Sequence, residues 1–390
     1  MSENVTAVAA RRVFDGAAVR PDAAVLLDGG SIAAVVPRGD VDRTIATHDL
    51  PDGAWLAPGF IDVQVNGGGD VLFNDDPTPD ALRAILAAHR KFGTTAMLPT
   101  LISDTAEKMA AAIAAANALA ESEPGVLGIH LEGPFLSPEK PGVHDVRLLR
   151  RPTADDLALL TSPHRGVRLV TLAPEQVPAS FVAALAAAGV KVALGHSAAT
   201  FAQTQAAMDE GLTGFTHLFN AMRPLASREP GPIAAALLAP QAFYGLIADG
   251  VHVAPAMLQL ALRGAGRALL VTDAMPPVGG TRSSFVLAGK TVTVRDGRCA
   301  TADGTLAGSC LDMAGAVRNS VKLLGLPLAD AFRLATANPA EFLGLGARLG
   351  RLAPGFRADM VAIDATTFAV LETWVAGRSS ETPASTVLTR

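Results

Sequence analysis

Eight short β-type runs recur through the middle of the chain, nearly all followed by a helix-like segment, and no other feature restricts the fold as tightly. They occupy residues 59–66, 94–101, 126–132, 167–172, 190–196, 214–219, 243–248 and 268–272. Helices are expected at 79–91, 104–121, 154–161, 178–188, 200–210 and 255–262, whereas the Pro-rich link 224–241 reads as irregular. Strand, helix and strand in steady alternation mark parallel β/α units. Eight such units predict an α/β protein with a (β/α)8 TIM-type barrel, whose chemistry gathers where the strands run out. A doubly wound sheet is the runner-up. The even repeat, with a polar residue at most strand ends, favours the barrel.

The flanks read differently. Residues 5–56 alternate β-type runs (24–27, 31–36) with turn signals at Asp15-Gly16 and Asp28-Gly29-Gly30, a β-meander. Residues 350–364 and 370–375 return to that pattern. One small β-sandwich built from both ends is therefore expected, with 1–56 and 350–390 as its two parts and 57–349 as the barrel. The 390 residues suffice for a barrel of about 250 plus such an accessory domain. With 49% apolar and only 18% charged residues, the chain should bury a large core.

Charge and cysteine usage exclude several roles. Net charge is −5 with no Lys/Arg cluster, which argues against a nucleic-acid partner and leaves any anionic ligand to a few local cations. Cys299 and Cys310 lack C-x-x-C spacing and have no neighbouring His, as expected of ordinary thiols in a reducing compartment. The start carries Glu3 and no apolar core, unlike a signal peptide. No uncharged apolar run reaches the roughly 18 residues of a membrane span. A cytoplasmic protein without a membrane partner is the expectation.

Candidate chemistry collects at strand ends. The third run, GIHLEGPF, delivers Glu132, and the fifth and sixth end near His196 and His217. Two imidazoles and one carboxylate form the set of many catalytic zinc sites, which leaves positions open for water and substrate. Either histidine alone would more often cap a strand by hydrogen bonding; the three together favour metal ligands. His130 shares the strand face of Glu132 and reads equally well as lumen filling. The eighth run, LLVTDAM, delivers Asp273. An acid facing a metal there can act as general base to water and then as acid to a leaving group. A helix N-cap is the plainer alternative, but Ala274-Met275-Pro276-Pro277 does not read as a helix start. His48, His89 and His164 receive no role. No lysine ends a barrel strand, which tells against an aldolase-type barrel.

The motifs GFIDVQVNG, HLEGPFLSPEKPGVHD, GHS, THLFNAM, SREPG, DGVH, TDAM and LAGS follow one another in that order. Taken together they resemble the N-acetylglucosamine-6-phosphate deacetylase family of the amidohydrolase superfamily, over nearly the whole chain. The resemblance implies a β/α barrel with a split β-sandwich, and hydrolysis of the acetamide of a phosphorylated amino sugar to acetate and the free amine. It implies that Glu132, His196 and His217 hold a divalent metal, with zinc expected ahead of iron or manganese, and that Asp273 is the acid/base. It places His144, next to Val143 in GVHD, near the acetyl carbonyl, and Asn220 and Ala221 against the sugar phosphate. Arg228 and His252 match phosphate contacts made from the neighbouring subunit of a homodimer. Leu306, Ala307 and Gly308 match a loop that closes over substrate.

The planar fork of Arg228 suits phosphate oxygens, with a surface ion pair to Glu229 as its alternative. The first strand departs from a common superfamily pattern, having Gln64-Val65-Asn66 where many members carry H-x-H. Neutral amides are weak zinc ligands, so one metal ion rather than two is expected, with Gln64 left to hydrogen-bond the metal-bound water or a ligand. The rival readings are N-acetylgalactosamine 6-phosphate or another amide as substrate, and a non-catalytic barrel serving in assembly.

Overall fold

The computed structural model describes residues 5–380, and in it the eight runs form eight parallel strands hydrogen-bonded in chain order. They are β1 (Phe60–Val65), β2 (Thr94–Ile102), β3 (Gly128–Glu132), β4 (Val167–Leu172), β5 (Lys191–Leu194), β6 (Gly214–Phe215), β7 (Phe243–Leu246) and β8 (Arg267–Leu270). The ring closes just beyond β8. There the Asp273 N–H donates to the Gln64 carbonyl (3.0 Å) and the Asn66 N–H to the Ala274 carbonyl (2.9 Å). Buried Asp62 of β1 reinforces the seam by accepting from the Thr272 hydroxyl, and burial pushes its carboxyl up to about 7. The fold is a (β/α)8 barrel.

Local sequence explains the outer helices. Thr78, Thr105, Thr153 and Thr200 each accept an N–H of the following first turn, starting Pro79–Arg90, Ala106–Leu119, Ala154–Leu160 and Phe201–Asp209. Pro79 and Pro255 stand at first helical positions, where a missing N–H costs nothing. Leu82, Ile85, Ile113 and Leu119 on the inner helix faces share one core with Leu98, Leu131 and Val170 on the strands. Gly128, with φ +147°, opens β3 so close to β4 that a Cβ there would lie 1.8 Å from the Val167 carbonyl oxygen. Only glycine fits.

Two stretches differ from the sequence expectation. The link 224–241 contains a helix, Gly231–Leu238, because Pro232 falls in its first turn, where proline is tolerated. After β8 the chain builds a four-stranded antiparallel sheet, Ser284–Leu287, Lys290–Arg295, Arg298–Thr301 and Leu306–Ser309, before three further helices. This sheet packs Phe285, Leu287, Val292 and Ala307 against Leu72, Ile102, Val143 and Met275 beside the barrel mouth.

The two chain ends interleave in one eight-stranded sheet. Ala54–Pro58 pairs antiparallel with Met360–Asp364, joining the N-terminal meander to the C-terminal strands. The sheet branches at Val5–Phe14, whose halves carry Ala46–Asp49 and Ala54–Pro58, and so wraps a small core of Val8, Val25, Leu56, Met360 and Trp374. Residues 1–4 and 381–390 of the two expected terminal parts lie outside the described residues. Among the described residues, no helix is long and apolar enough to cross a membrane.

Candidate active site

The barrel places its reactive groups on sharply turned backbone. Glu132 ends β3, His196 and His217 lie two residues past β5 and β6, and Asp273 three past β8. His196 (φ +47°), His217 (+34°), Phe219 (+81°), Ala221 (+48°) and Asp273 (+52°) all occupy the left-handed region. Each costs a non-glycine residue about 1 kcal/mol or more. Surrounding bonds enforce it, such as Ser197 N–H to Ala221 O (3.0 Å) and Leu218 N–H to Gly245 O (2.8 Å).

This backbone brings three ligand atoms together. Glu132 Oε1 lies 2.9 Å from His217 Nε2 and 3.2 Å from His196 Nε2, and the two nitrogens are 3.1 Å apart. The His196 Nδ1–H donates to the Lys140 carbonyl (2.9 Å), which leaves Nε2 as a lone pair. Lone pairs and a carboxylate oxygen packed this closely repel unless a cation or proton sits among them. Four-coordinate binding at about 2.0–2.2 Å separates ligands by roughly 3.3 Å, so the buried set suits a divalent metal.

Asp273 faces this set through two amides, Gln64 of β1 and Asn66 directly after it. Asn66 Nδ2 donates to Asp273 Oδ1 (2.6 Å), and Gln64 Nε2 donates to the same oxygen and to Glu132 Oε2 (both 3.2 Å). Burial first, and then the charge of Glu132, pushes the Asp273 carboxyl up to about 6. Gln64 thus bridges the ligand carboxylate and the opposing acid. It does not line the mouth cavity, because its N–H groups serve two protein carboxylates. His130 hydrogen-bonds Thr100 and Thr171 in the lumen, as befits a filler.

A cavity of about 160 Å³ opens above the ligands, with Val143, His144, Asn220, Ala221, His252 and Leu306 among its walls and Gly308 at its rim. Between Leu306 and Gly308, the Ala307 side chain is buried in the core of the small sheet. His252 lines the cavity of its own chain. Asp249, just past β7, folds the turn by accepting the Val251 and His252 N–H groups and the ring Nδ1–H (2.6 Å). Arg228 stands exposed and outside this cavity. Glu229 does not pair with it, accepting instead from the Phe201 and Gly231 N–H groups.

His144 packs edge-on against His196, with ring centroids 4.3 Å apart. Its Nδ1 accepts from the Ser103 hydroxyl (2.8 Å) and the Ser103 N–H (3.4 Å), which puts the ring proton on Nε2. Burial first, and then the neighbouring His196, pushes its pKa down to about 3, so the ring is a neutral donor. Ser103 carries no sequence signal beyond being the first polar residue after β2. Ser103→Ala should lower kcat roughly tenfold through loss of one hydrogen bond that fixes the tautomer, with KM and bound metal within about twofold. An unchanged kcat in steady-state assays would show that His144 needs no such support.

An amidohydrolase family model matches residues 55–388. The N-acetylgalactosamine-6-phosphate deacetylase of Shewanella sp. (strain ANA-3) is 46% identical over 330 residues, covering 83% of this chain and 82% of that one. The N-acetylglucosamine-6-phosphate deacetylase of Haemophilus influenzae is 34% identical over 364 residues, covering 92% of this chain and 95% of that one. The crystal structure of N-acetylglucosamine-6-phosphate deacetylase from Pasteurella multocida superposes with a TM-score of 0.93 at 35% identity, over 96% of this chain and 99% of that one. Barrel, metal-ligand set and these likenesses agree: the chain belongs to the amidohydrolase family, in its N-acetylglucosamine-6-phosphate deacetylase branch.

Proposed function

We propose that this chain hydrolyses the acetamide of N-acetyl-D-glucosamine 6-phosphate to D-glucosamine 6-phosphate and acetate, with one divalent metal ion held by Glu132, His196 and His217. The observation that carries the reading is the meeting of three buried ligand atoms within 3.2 Å, with Asp273 held opposite by Asn66. Zinc is the first choice and iron or manganese the alternatives, since all accept imidazole and carboxylate. When bound, the ion supplies Lewis acidity toward the amide carbonyl and makes water a better nucleophile at neutral pH.

The chain's own groups do the rest. Both amide donors hold Asp273 by Oδ1, which leaves Oδ2 to take the proton of the attacking water and later return it to the departing amine. The His144 Nε2–H serves as donor to the carbonyl oxygen as charge builds there. Asn220, Ala221 and His252 receive the sugar phosphate. Exposed Arg228 adds its fork from the neighbouring copy of a homodimer. Commitment of Gln64 and Asn66 to carboxylates supports a single ion.

A second reading, N-acetylgalactosamine 6-phosphate as the preferred substrate, has one observation in its favour: the 46% identical Shewanella relative bears that name. Acetate release from both phosphorylated N-acetylhexosamines, and from their unphosphorylated forms, separates the two. The gluco epimer should exceed the galacto epimer by about tenfold in kcat/KM, and removal of phosphate should cost about a hundredfold, as loss of a charged contact implies. Reversed epimer preference would transfer the assignment to the second reading. No acetate from any of the four by metal-loaded protein would sink both.

A further inference from the structure

The chain's two cysteines, unremarkable in sequence, meet beside the active-site mouth. The sulfurs of Cys299 and Cys310 are 2.8 Å apart. Cys299 is buried in Arg298–Thr301, and Cys310, partly exposed, follows directly on Leu306–Ser309. These two strands pair antiparallel with a bulge at Cys299, and that irregularity lets the two side chains converge. Neither cysteine lines the cavity.

We propose that Cys299 and Cys310 form a reversible disulfide on exposure to a peroxide, and that this crosslink slows the reaction at the neighbouring site. The first half stands on the sulfur geometry alone; the second rests on the deacetylase reading. A disulfide needs the sulfurs at about 2.05 Å, so only a small movement separates the thiols from the bond. Of the two, Cys310 is the partly exposed sulfur and Cys299 the buried one, so an incoming peroxide meets Cys310 first. Its accessibility makes Cys310 the attacking sulfur.

Its sulfur attacks one peroxide oxygen and the O–O bond breaks, giving a sulfenic acid and hydroxide. The Cys299 sulfur then displaces hydroxide from the sulfenic sulfur, and its proton leaves in the water formed. In sum, two thiols and one hydrogen peroxide give one disulfide and two waters.

The movement has little room to dissipate. Ser309, next to Cys310, donates its N–H to the Asp273 carbonyl (2.8 Å), accepts the Met275 N–H (3.0 Å) and donates its hydroxyl to the Thr272 carbonyl (2.5 Å). Gly308 is packed so tightly that a Cβ there would lie 2.8 Å from the Asp273 carbonyl oxygen. Drawing Cys310 toward Cys299 therefore shifts the backbone that carries Asp273, and misplacement by about 1 Å can cost up to about a hundredfold.

The test treats reduced, metal-loaded protein with equimolar hydrogen peroxide, then counts titratable thiols, maps peptides by mass and assays acetate release. Expected are loss of both thiols, a Cys299–Cys310 linked peptide, and a fall in kcat/KM of about tenfold or more that dithiothreitol reverses. Cys310→Ser and Cys299→Ala should each turn over normally and resist peroxide. Two thiols surviving peroxide, or Cys310 oxidised with Cys299 left free, would overturn the proposal. A disulfide formed without kinetic change would overturn its second half. Reduced protein without turnover would instead strike the deacetylase reading alone, since thiol counts and peptide masses require no substrate.

Discussion

Asp273→Asn lowers kcat by about three to four orders of magnitude and leaves the bound metal in place. The amide oxygen of asparagine can still accept from Asn66 and Gln64, so the side chain keeps the position it holds at 2.6 and 3.2 Å from those donors. What disappears is the proton acceptor, and general acid–base catalysis contributes about 10²–10⁴-fold when one group serves one step. Here the same carboxyl serves two, which places the expected loss at the upper end. Acetate release and elemental analysis of the same preparation check it. Parallel loss of metal and turnover would make Asp273 a ligand or a structural support instead.

Glu132→Gln has the opposite signature, since metal and activity disappear together. The substitution removes the only negative charge among the three ligands and replaces it with an amide, a poor partner for a divalent ion. It also sets a neutral side chain against the Gln64 amide, whose N–H now meets Glu132 Oε2 at 3.2 Å. Dialysed protein should retain almost no metal, with kcat/KM reduced roughly a thousandfold or more. Stoichiometric metal in this variant would show that the ion sits elsewhere. The pair of substitutions therefore separates holding the ion from moving the proton.

Much of this site is legible in the sequence because metal chemistry restricts the choice of side chain. Two histidines and a glutamate at three strand ends have few structural reasons to recur at such positions, and the barrel period brings those ends together. The supports are legible only in space. Ser103 and His144 are 41 residues apart, and Asn66 and Asp273 are 207 apart, joined by the closing of the barrel. The helix Gly231–Leu238 was concealed by Pro230 and Pro232, which read as loop residues unless a helix start is already suspected. In the small sheet, Asp296-Gly297 is a recognisable hairpin signal, with φ of +50° and +73°. It lay beyond the eighth barrel strand, where the repeat offered no further expectation. The turn that holds His252 at the cavity wall is likewise legible only in space, because the DGVH motif does not reveal that Asp249 accepts from the His252 ring at 2.6 Å.

The twisted rim backbone also limits how this protein can be hardened against heat. Glycine at Phe219 or Ala221 would relax the chain locally at the expense of side chains that take no part in proton transfer or metal binding. At His196, His217 and Asp273 the same relief would erase the chemistry. Durability and turnover therefore compete over three positions of the mouth, and selection for robustness has freedom only in the segments between them.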